Sequence, residues 1–317
     1  MDDKLKIETY REMVLIRKFE EEAGTQYEAG NIRGFLHLYI GQEAVAAGFL
    51  AAARSDDYVM GSYRDHGQAI SRCFDTRRVM AELFGKSTGT SKGKGGSMHL
   101  FDKDRNFMGG TAIVGGGLPI SVGIAYSIKY RKTDQVCICF FGDGAVNEGA
   151  FHESMNLASL WNLPVLFICE NNMYGMGTSV SRASAIPSLF RRAQCYAMDV
   201  RSVDGMDVAK VYDTAFECIE KIRKDKQPIF IEAETYRYRG HSQADPQNYR
   251  TKEEVEEWKK RDPIATFGAK LINEGVLSQE VMDKIDSKCA KTIKDAVEFA
   301  STSPKPLPED IYKDIYA

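Results

Sequence analysis

The chain has 317 residues, a formal net charge of −3 and 43% hydrophobic residues, which is enough to bury the core of one large α/β domain. The charge balance and the lack of a basic run give no indication of nucleic acid or an acidic membrane as a partner. No window of about 18 apolar residues occurs, so a transmembrane helix is not expected.

The N-terminal sequence and the cysteines indicate the kind of cellular compartment in which the chain resides. The first residues, MDDKLKIETY, have neither the apolar core of a signal peptide nor the Arg/Ser-rich character of a transit peptide. The seven cysteines form no CxxC pair, and Cys137, Cys139 and Cys169 lie in apolar runs, where we interpret them as small buried side chains. The sequence therefore predicts a reducing compartment, either a bacterial cytoplasm or, for a processed form, an organelle matrix.

The first part of the chain contains two predicted helices and one predicted strand. Apolar residues recur at helical spacing over residues 5–29, and small residues dominate residues 41–53. Residues 58–64 are interpreted as a strand that ends at Tyr63 and Arg64. An arginine at the end of a strand can bind two phosphate oxygens, and a tyrosine hydroxyl can donate one hydrogen bond.

Two glycine-rich stretches resemble nucleotide-binding motifs but lack their spacing. The run at 85–99, GKSTGTSKGKGGSMH, does not contain GxxxxGK[ST], and we interpret it as a flexible basic loop near a pocket mouth. The glycines at 115–117 open a predicted helix at 118–130, but Ile120 occupies the position of the third glycine of GxGxxG. A dinucleotide site of the NAD type is therefore disfavoured.

The centre of the sequence predicts a β-α-β unit. Continuous apolar runs at 136–141 and 164–169 are typical of parallel strands buried on both faces, and residues 147–162 have helical spacing. A polar cluster follows each strand, GDG with Asp143 and then ENN with Asn172. Because ligands of open parallel sheets lie beyond the carboxyl ends of the strands, these two side chains should face one pocket.

Asp143 and Asn172 together favour a magnesium ion that carries a phosphorylated ligand. Mg²⁺ prefers oxygen ligands and is commonly held by one or two carboxylates plus phosphates, and the adjacent glycines allow a diphosphate to approach closely. A GDG turn by itself is ordinary loop chemistry. The pair of GDG and NN, with residues 145–170 between them and each after a strand, is a much more specific pattern.

The remaining elements complete an α/β pattern. Strands are predicted at 199–205 and 229–235 with a helix at 207–224 between them, and His241 follows the last strand on the ligand side of the sheet. From residue 251 the chain is charged and helical, and it ends in a proline-rich extended segment.

The pattern as a whole predicts a doubly wound parallel sheet with helices on both faces. We expect a single domain over residues 1–317, with its core at about 35–240, a helical N-terminal arm at 1–34 and a helical C-terminal tail at 251–317.

The sequence also resembles a known family. GDG followed by NN at this distance is similar to the thiamine diphosphate signature. The string GDGAVNEGAFHESMNLASLWNLPVLFICENNMYGMGTS resembles the alpha subunit of pyruvate dehydrogenase, a thiamine diphosphate-dependent 2-oxoacid dehydrogenase. The resemblance runs from about residue 10 to the C-terminus and includes GFLHLYIGQEA, SYRDHG, GKGGSMHLF and YRYRGHSQADP.

This resemblance implies a thiamine diphosphate-binding fold and a set of site residues. The implied magnesium ligands are Asp143, Asn172 and the backbone carbonyl of Tyr174. The implied cofactor contacts are Tyr63, Arg64, Ala112, Val114, Asp143, Gly144, Ala145, Asn172, Tyr174 and His241. Ala112 occupies a position that is usually glycine in the family. A methyl group is tolerated at this position only if the backbone angle φ is negative. The implied catalytic residues are His37 and His241, which would orient a substrate carboxylate or a lipoyl sulfur and move protons.

The resemblance further implies partners and a reaction. The chain shows no second doubly wound half for the aminopyrimidine ring, so a beta subunit would complete the site in an α2β2 tetramer. The implied reaction is decarboxylation of pyruvate, with reductive acetylation of a lipoyl group on the acetyltransferase core. Ser242 and Ser179 match serines that kinases modify in mitochondrial relatives, but their modification here is left unassigned.

Two other kinds of protein remain as alternatives. One is the alpha subunit of an acetoin or branched-chain 2-oxoacid dehydrogenase, since small pockets change specificity with few substitutions. The other is a non-catalytic protein that binds a diphosphate for regulation. The presence of Asp143 and Asn172 together with both histidines favours an enzyme.

Overall fold

The structure is a computed structural model that describes residues 1–315. Within this range a five-stranded parallel sheet has the order β1-β2-β3-β7-β6, and a two-stranded antiparallel hairpin, β4-β5, lies apart from it. The strands are β1 (Tyr58–Met60), β2 (Cys137–Gly142), β3 (Val165–Asn171), β4 (Tyr174–Gly175), β5 (Thr178–Ser179), β6 (Asp199–Asp204) and β7 (Ile229–Glu234).

The α-helices lie on both faces of the sheet and beyond its edges. They are α1 (Asp3–Glu28), α2 (Glu43–Ala52), α3 (His66–Ser71), α4 (Thr76–Leu83), α5 (Gly117–Arg131), α6 (Gly149–Leu160), α7 (Val180–Ala183), α8 (Phe190–Ala193), α9 (Val208–Asp225), α10 (Lys252–Lys259), α11 (Pro263–Asn273) and α12 (Gln279–Thr302). The predicted doubly wound sheet is confirmed.

Alternate residues of the central strands enter two different hydrophobic cores. In β2, Ile138 and Phe140 join α1, α2, α4 and α9 in one core, whereas Cys139 and Phe141 join α5 and α6 in the other. This division follows from the two-residue period of a strand. A strand buried on both faces must be apolar throughout, which is why β2 and β3 are continuous apolar runs.

The register of β2 and β3 positions the site. Gly142 pairs with Glu170, so the two strands end side by side in the middle of the sheet. The side chains of Glu170 and Asn171 turn away from the site: Glu170 accepts hydrogen bonds from Tyr39 and Gln68, and Asn171 donates to Glu232. Of the three residues ENN, Asn172 alone is left to face the ligand side.

The terminal helices contribute to the main core. Phe19 of α1 and Ile293 of α12 are almost fully buried in the cluster that also contains β2 and β3. Their apolar faces therefore stabilise the sheet itself, at roughly 1.5–3 kcal/mol for each large side chain removed from water.

Three local predictions differ from the structure. The strand predicted at 58–64 ends at Met60, and Tyr63 and Arg64 lie in the following turn. The small and polar string GMGTSVSRASAIPSL at 175–189 predicts a loop, but it contains the end of β4, the whole of β5 and α7. The proline-rich segment contains a 3₁₀ turn at Pro308–Tyr312.

The glycine-rich loop 85–99 is held by one buried carboxylate. Glu82, at the end of α4, accepts backbone N–H bonds from Ser91 and Gly93 at one oxygen and from Gly95 and Gly96 at the other, at 2.8–3.0 Å. Glycine at position 89 is required because a Cβ there would overlap Glu82. The loop therefore has a defined conformation, and the prediction that it is flexible is wrong.

Across residues 1–315, no helix combines the length and the apolar character needed to cross a membrane.

Candidate active site

Asp143 and Asn172 lie next to each other at the ends of β2 and β3. Both side chains are buried, and the backbone amide of Asn172 interacts with the Asp143 carboxyl. Burial raises the pKa of Asp143 to about 6, while the positive charge of Arg237 and the two backbone amides lower it. A bound cation would favour the ionised carboxylate further.

The backbone carbonyl of Tyr174 completes a group of oxygen ligands. Arg237 donates from the same nitrogen, Nη1, to Asn172 Oδ1 and to the Tyr174 carbonyl oxygen, each at 3.1 Å. The amide of Asn172 is oriented by its Nδ2, which donates to Gln42 Oε1 at 3.0 Å. The structure therefore brings the three predicted metal ligands to one place.

Two cavities meet at this group. A cavity of about 720 Å³ opens beside Asp143 and Gly144, and a second one of about 40 Å³ lies deeper, toward Asn172 and Arg237. Ten of the eleven predicted site residues line one cavity or both: His37, Tyr63, Ala112, Val114, Asp143, Gly144, Ala145, Asn172, Tyr174 and His241.

Arg64 is the predicted site residue that lines neither cavity. Its guanidinium donates to the carbonyl oxygens of Leu38 and His241, both at 2.7 Å. These bonds connect the segment that carries His37 with the loop that carries His241. The contact of Arg64 with a diphosphate stays a prediction, and the positioning of these two segments is the role visible in the structure.

His37, Tyr63 and His241 form an aromatic cluster on the wall of the larger cavity. The ring centroids are 4.7 Å apart for His37 and Tyr63, 5.1 Å for the two histidines, and 5.6 Å for Tyr63 and His241. The Nδ1 atoms of both histidines are buried and have no hydrogen-bond partner among the described residues. Buried polar atoms usually have partners, so these two are free to bind a ligand.

Both imidazoles are neutral in this environment. Burial lowers the pKa of His37 to about 2 and that of His241 to about 3, and the nearby charge of Arg64 lowers both further. Histidine is suited to moving protons because its ordinary pKa lies near neutrality, and burial takes both of these side chains away from that range. An anion bound in the cavity would offset the arginine charges and raise both pKa values.

The loop 239–250 is held in place by its own side chains. Asp245 accepts hydrogen bonds from the His241 and Gln247 amides and from the Tyr249 hydroxyl, at 2.6, 2.9 and 2.8 Å. Arg250 donates to the carbonyl oxygens of Arg237, Tyr238 and Arg239. The loop has a defined conformation that fixes the backbone at His241.

Ala112, which replaces the usual glycine of the family, has a backbone angle φ that a methyl group tolerates. It is not among the residues with positive φ, so its methyl group imposes no backbone strain. Its neighbour Val114 is 43% exposed, and both residues line the larger cavity.

The residue that sequence reasoning missed is Arg237. It lies a few residues after the end of β7 at Glu234, just as Arg64 lies a few residues after the end of β1 at Met60, so the same argument about an arginine near a strand end identifies it. Phe35, Met98 and Ser184 also line the larger cavity, but no sequence pattern distinguishes them from other loop residues.

The fold and the site define an α/β protein with a ligand cavity, and with a group of oxygen atoms suited to a divalent cation, at the carboxyl ends of parallel strands. A family profile described as "Dehydrogenase E1 component" matches residues 11–309. The chain belongs to this family, which depends on thiamine diphosphate, and the resemblance seen in the sequence is confirmed.

Individual relatives are similar over almost the whole chain. The "Pyruvate dehydrogenase E1 component subunit alpha" of Rickettsia bellii is 44% identical over 98% of this chain and 95% of the relative. The protein of the same name from Rhizobium meliloti is 47% identical over 98% and 89%. The "Pyruvate dehydrogenase E1 component subunit alpha-3, chloroplastic" of Arabidopsis thaliana is 41% identical over 98% and 74%.

Proposed function

We propose that the chain is the alpha subunit of a pyruvate dehydrogenase, in which it holds the diphosphate end of thiamine diphosphate through Mg²⁺. The observation that carries the proposal is the meeting of Asp143, Asn172 and the Tyr174 carbonyl beside a large cavity. Two histidine nitrogens on its wall have no partner within residues 1–315. The relatives named as pyruvate dehydrogenase subunits support the choice of substrate.

The oxygen group fits magnesium only together with phosphate. Residues 1–315 contain no cluster of three His, Cys, Asp or Glu side chains able to hold a metal. A site with one carboxylate, one amide oxygen and one carbonyl oxygen is typical of Mg²⁺ that takes its other ligands from phosphates and water. Metal and diphosphate would therefore bind together.

Buried positive charge supports an anionic ligand. Arg64 and Arg237 are 3% and 1% exposed, and within the described residues neither has a carboxylate within salt-bridge distance. An unpaired buried charge is costly. A diphosphate beside Asp143 would supply the missing negative charge.

The residues of this chain have distinct parts in the proposed reaction. Thiamine diphosphate, when bound, supplies the nucleophilic carbon that attacks the 2-oxo group. Asp143, Asn172 and the Tyr174 carbonyl would fix the metal, and Tyr63 would donate a hydrogen bond to a phosphate oxygen. His37 and His241 would orient the substrate carboxylate or the lipoyl sulfur and move protons during the transfer.

The cavity requires a second chain to enclose it. Phe35 and Met176, which line the larger cavity, are 67% and 64% exposed, and Ile113, which lines the smaller one, is 71% exposed. Such apolar patches mark interfaces. A beta subunit would cover them and supply the part of the site that holds the aminopyrimidine. We further propose an α2β2 tetramer that acetylates a lipoyl-bearing acetyltransferase, in a compartment reducing enough for seven free cysteines.

Co-expression with a beta-like chain tests the proposal. Decarboxylation, followed with an artificial electron acceptor, should require thiamine diphosphate and Mg²⁺ and should favour pyruvate over 2-oxobutyrate, branched-chain 2-oxoacids and acetoin. A preference for a branched substrate or acetoin would reassign the substrate. Absence of cofactor binding by the reconstituted complex would overturn the proposed site.

A further inference from the structure

Arg237 is the largest side chain that is fully buried in the described part of the chain. It contacts two of the predicted metal-ligand oxygens, and its five hydrogen bonds all go to neutral oxygen atoms. The acceptors are Asn172 Oδ1, the carbonyl oxygens of Tyr174, Met176 and Arg239, and the Tyr249 hydroxyl, at 3.0–3.3 Å.

We propose that Arg237 is a positioning residue that sets the metal-ligand oxygens of Asn172 and Tyr174 and joins them to the loop that carries His241. The inference rests on the proposed function, since it concerns the same magnesium and diphosphate site. In this role, the Arg237 guanidinium orients the metal ligands and does not itself bind the metal.

The two metal-ligand oxygens come from different elements, so a side chain that contacts both can fix their relative positions. Asn172 follows β3, whereas Tyr174 belongs to the hairpin β4-β5. Both oxygens lie 3.1 Å from Arg237 Nη1, so the planar guanidinium limits their separation and direction. An oxygen of this kind has two lone pairs, and one of them remains for a metal.

The hairpin is held at a second point by the same side chain. Nη2 donates to the Met176 carbonyl at 3.0 Å, and Met176 has a φ of 57°, in the left-handed region. A non-glycine residue in this conformation needs support from its surroundings. The bond to Arg237 supplies this support.

A short chain of hydrogen bonds leads from Arg237 to His241. Nη2 also donates to the Tyr249 hydroxyl at 3.0 Å, the hydroxyl donates to Asp245, and Asp245 accepts from the His241 amide. Tyr249 packs against the hairpin as well, because a Cβ at Gly177 would lie 2.9 Å from its ring. The guanidinium therefore connects the metal ligands with the backbone that carries the histidine.

Arg72 provides a matched control. It is also a buried arginine, 8% exposed, and its guanidinium donates to the carbonyl oxygens of Arg54, Ser55, Asp57 and Arg105. It lines neither cavity of the site. Arg72→Gln should cost stability as Arg237→Gln does, without a specific effect on the metal.

The test compares Arg237→Gln, Arg237→Lys and Arg72→Gln in the complete complex with the beta chain. Thiamine diphosphate binding is titrated against Mg²⁺, and amide hydrogen exchange of residues 174–179 and 241–249 is measured with neither present. Arg237→Gln should raise the Mg²⁺ half-saturation by about 10–100-fold, as outer-shell substitutions do, and should speed exchange in both segments. Arg237→Lys, which keeps the charge, should lie between Arg237→Gln and wild type.

The outcomes separate this inference from the proposed function. A Mg²⁺ half-saturation within about twofold of wild type for folded Arg237→Gln, or equal shifts for Arg72→Gln, would overturn the positioning role. If Arg237→Gln does not fold, Arg237→Lys decides the question by the same criterion. Failure of the wild-type complex to bind thiamine diphosphate with Mg²⁺ would overturn the proposed function instead.

Discussion

At the scale of single residues, Asp143 is the charged ligand on which the proposed site depends. Asp143→Ala removes the carboxylate and leaves a small residue in a turn outside both cores. We expect Mg²⁺-dependent binding of thiamine diphosphate to weaken beyond the 10–100-fold typical of outer-shell changes, with thermal stability close to wild type. Isothermal titration of the reconstituted complex measures this.

The control for Asp143→Ala is Asp213→Ala, which removes an exposed carboxylate from α9. Asn172→Ala should weaken binding less, because it removes a neutral ligand. Unchanged affinity in Asp143→Ala would show that this carboxylate does not bind the metal.

Asp65 gives a prediction about pH. Its side chain is fully buried, and neither carboxyl oxygen has a hydrogen-bond partner among the described residues. Burial raises the pKa of Asp65 to about 8 from its ordinary 3.8, despite the opposing charge of His66. A raised pKa favours the protonated form in the folded chain, so the stability contributed is complete below 3.8 and is lost as the pH rises through about 8.

Asp65→Asn should therefore flatten the pH dependence of the free energy of unfolding. Between about pH 5 and pH 8, the wild-type chain should lose up to about 1.4 kcal/mol per pH unit from this group, and the variant should not. The variant should thus be the more stable form at the alkaline end. Urea unfolding at several pH values checks this, and parallel curves for the two proteins would contradict it.

At the scale of elements, the loop 85–99 depends on Glu82. In Glu82→Gln, one oxygen becomes an NH₂ group that faces backbone N–H donors, so about two of the four hydrogen bonds are lost. We expect a loss of about 2–4 kcal/mol in the free energy of unfolding. Amide exchange should also become faster in residues 89–97, where Ser97 contacts His66.

Glu256→Gln is the control for Glu82→Gln. It changes an exposed glutamate that pairs with Lys259 on the surface of α10, and such pairs contribute little. If the two variants are equally stable, the loop does not depend on its contacts with Glu82.

The sequence predicts those elements that are encoded by a local pattern of apolar and polar residues. The apolar runs of β2 and β3 and the polar residues after them predict Asp143 and Asn172 as site residues from the sequence alone. The role of Arg237 depends on its hydrogen bonds to the Tyr174 and Met176 carbonyls, and these are tertiary contacts. The role of Glu82 depends on amides 9–14 positions later in a loop without periodicity, which no local pattern encodes.

At the scale of the whole molecule, a surface outside the cavity also has the character of an interface. On α5, Ile120, Tyr126 and Tyr130 are exposed, and Tyr126 contacts the ring of Trp161, which follows α6. We expect Tyr126→Glu to weaken assembly with the beta chain by at least about tenfold, because a charge in a buried interface is costly.

Phe216→Glu is the control for Tyr126→Glu. Phe216 is 51% exposed, as Tyr126 is, but it lies on α9, over the opposite core. Sedimentation of the mixed chains measures assembly, and decarboxylation should fall with it. Equal behaviour of the two variants would show that the α5 surface is not buried in the complex.

The alignment of β2 with β3 also has a consequence for the choice of ion. The strands are joined by backbone hydrogen bonds at a spacing of about 4.8 Å, and both faces are packed, so the gap between Asp143 and Asn172 cannot widen for a larger ion. Mg²⁺ needs oxygen distances of about 2.0–2.1 Å and Ca²⁺ about 2.3–2.6 Å. The Tyr174 carbonyl is held relative to Asn172 by the guanidinium of Arg237, so we expect the site to accept Mg²⁺ in preference to Ca²⁺.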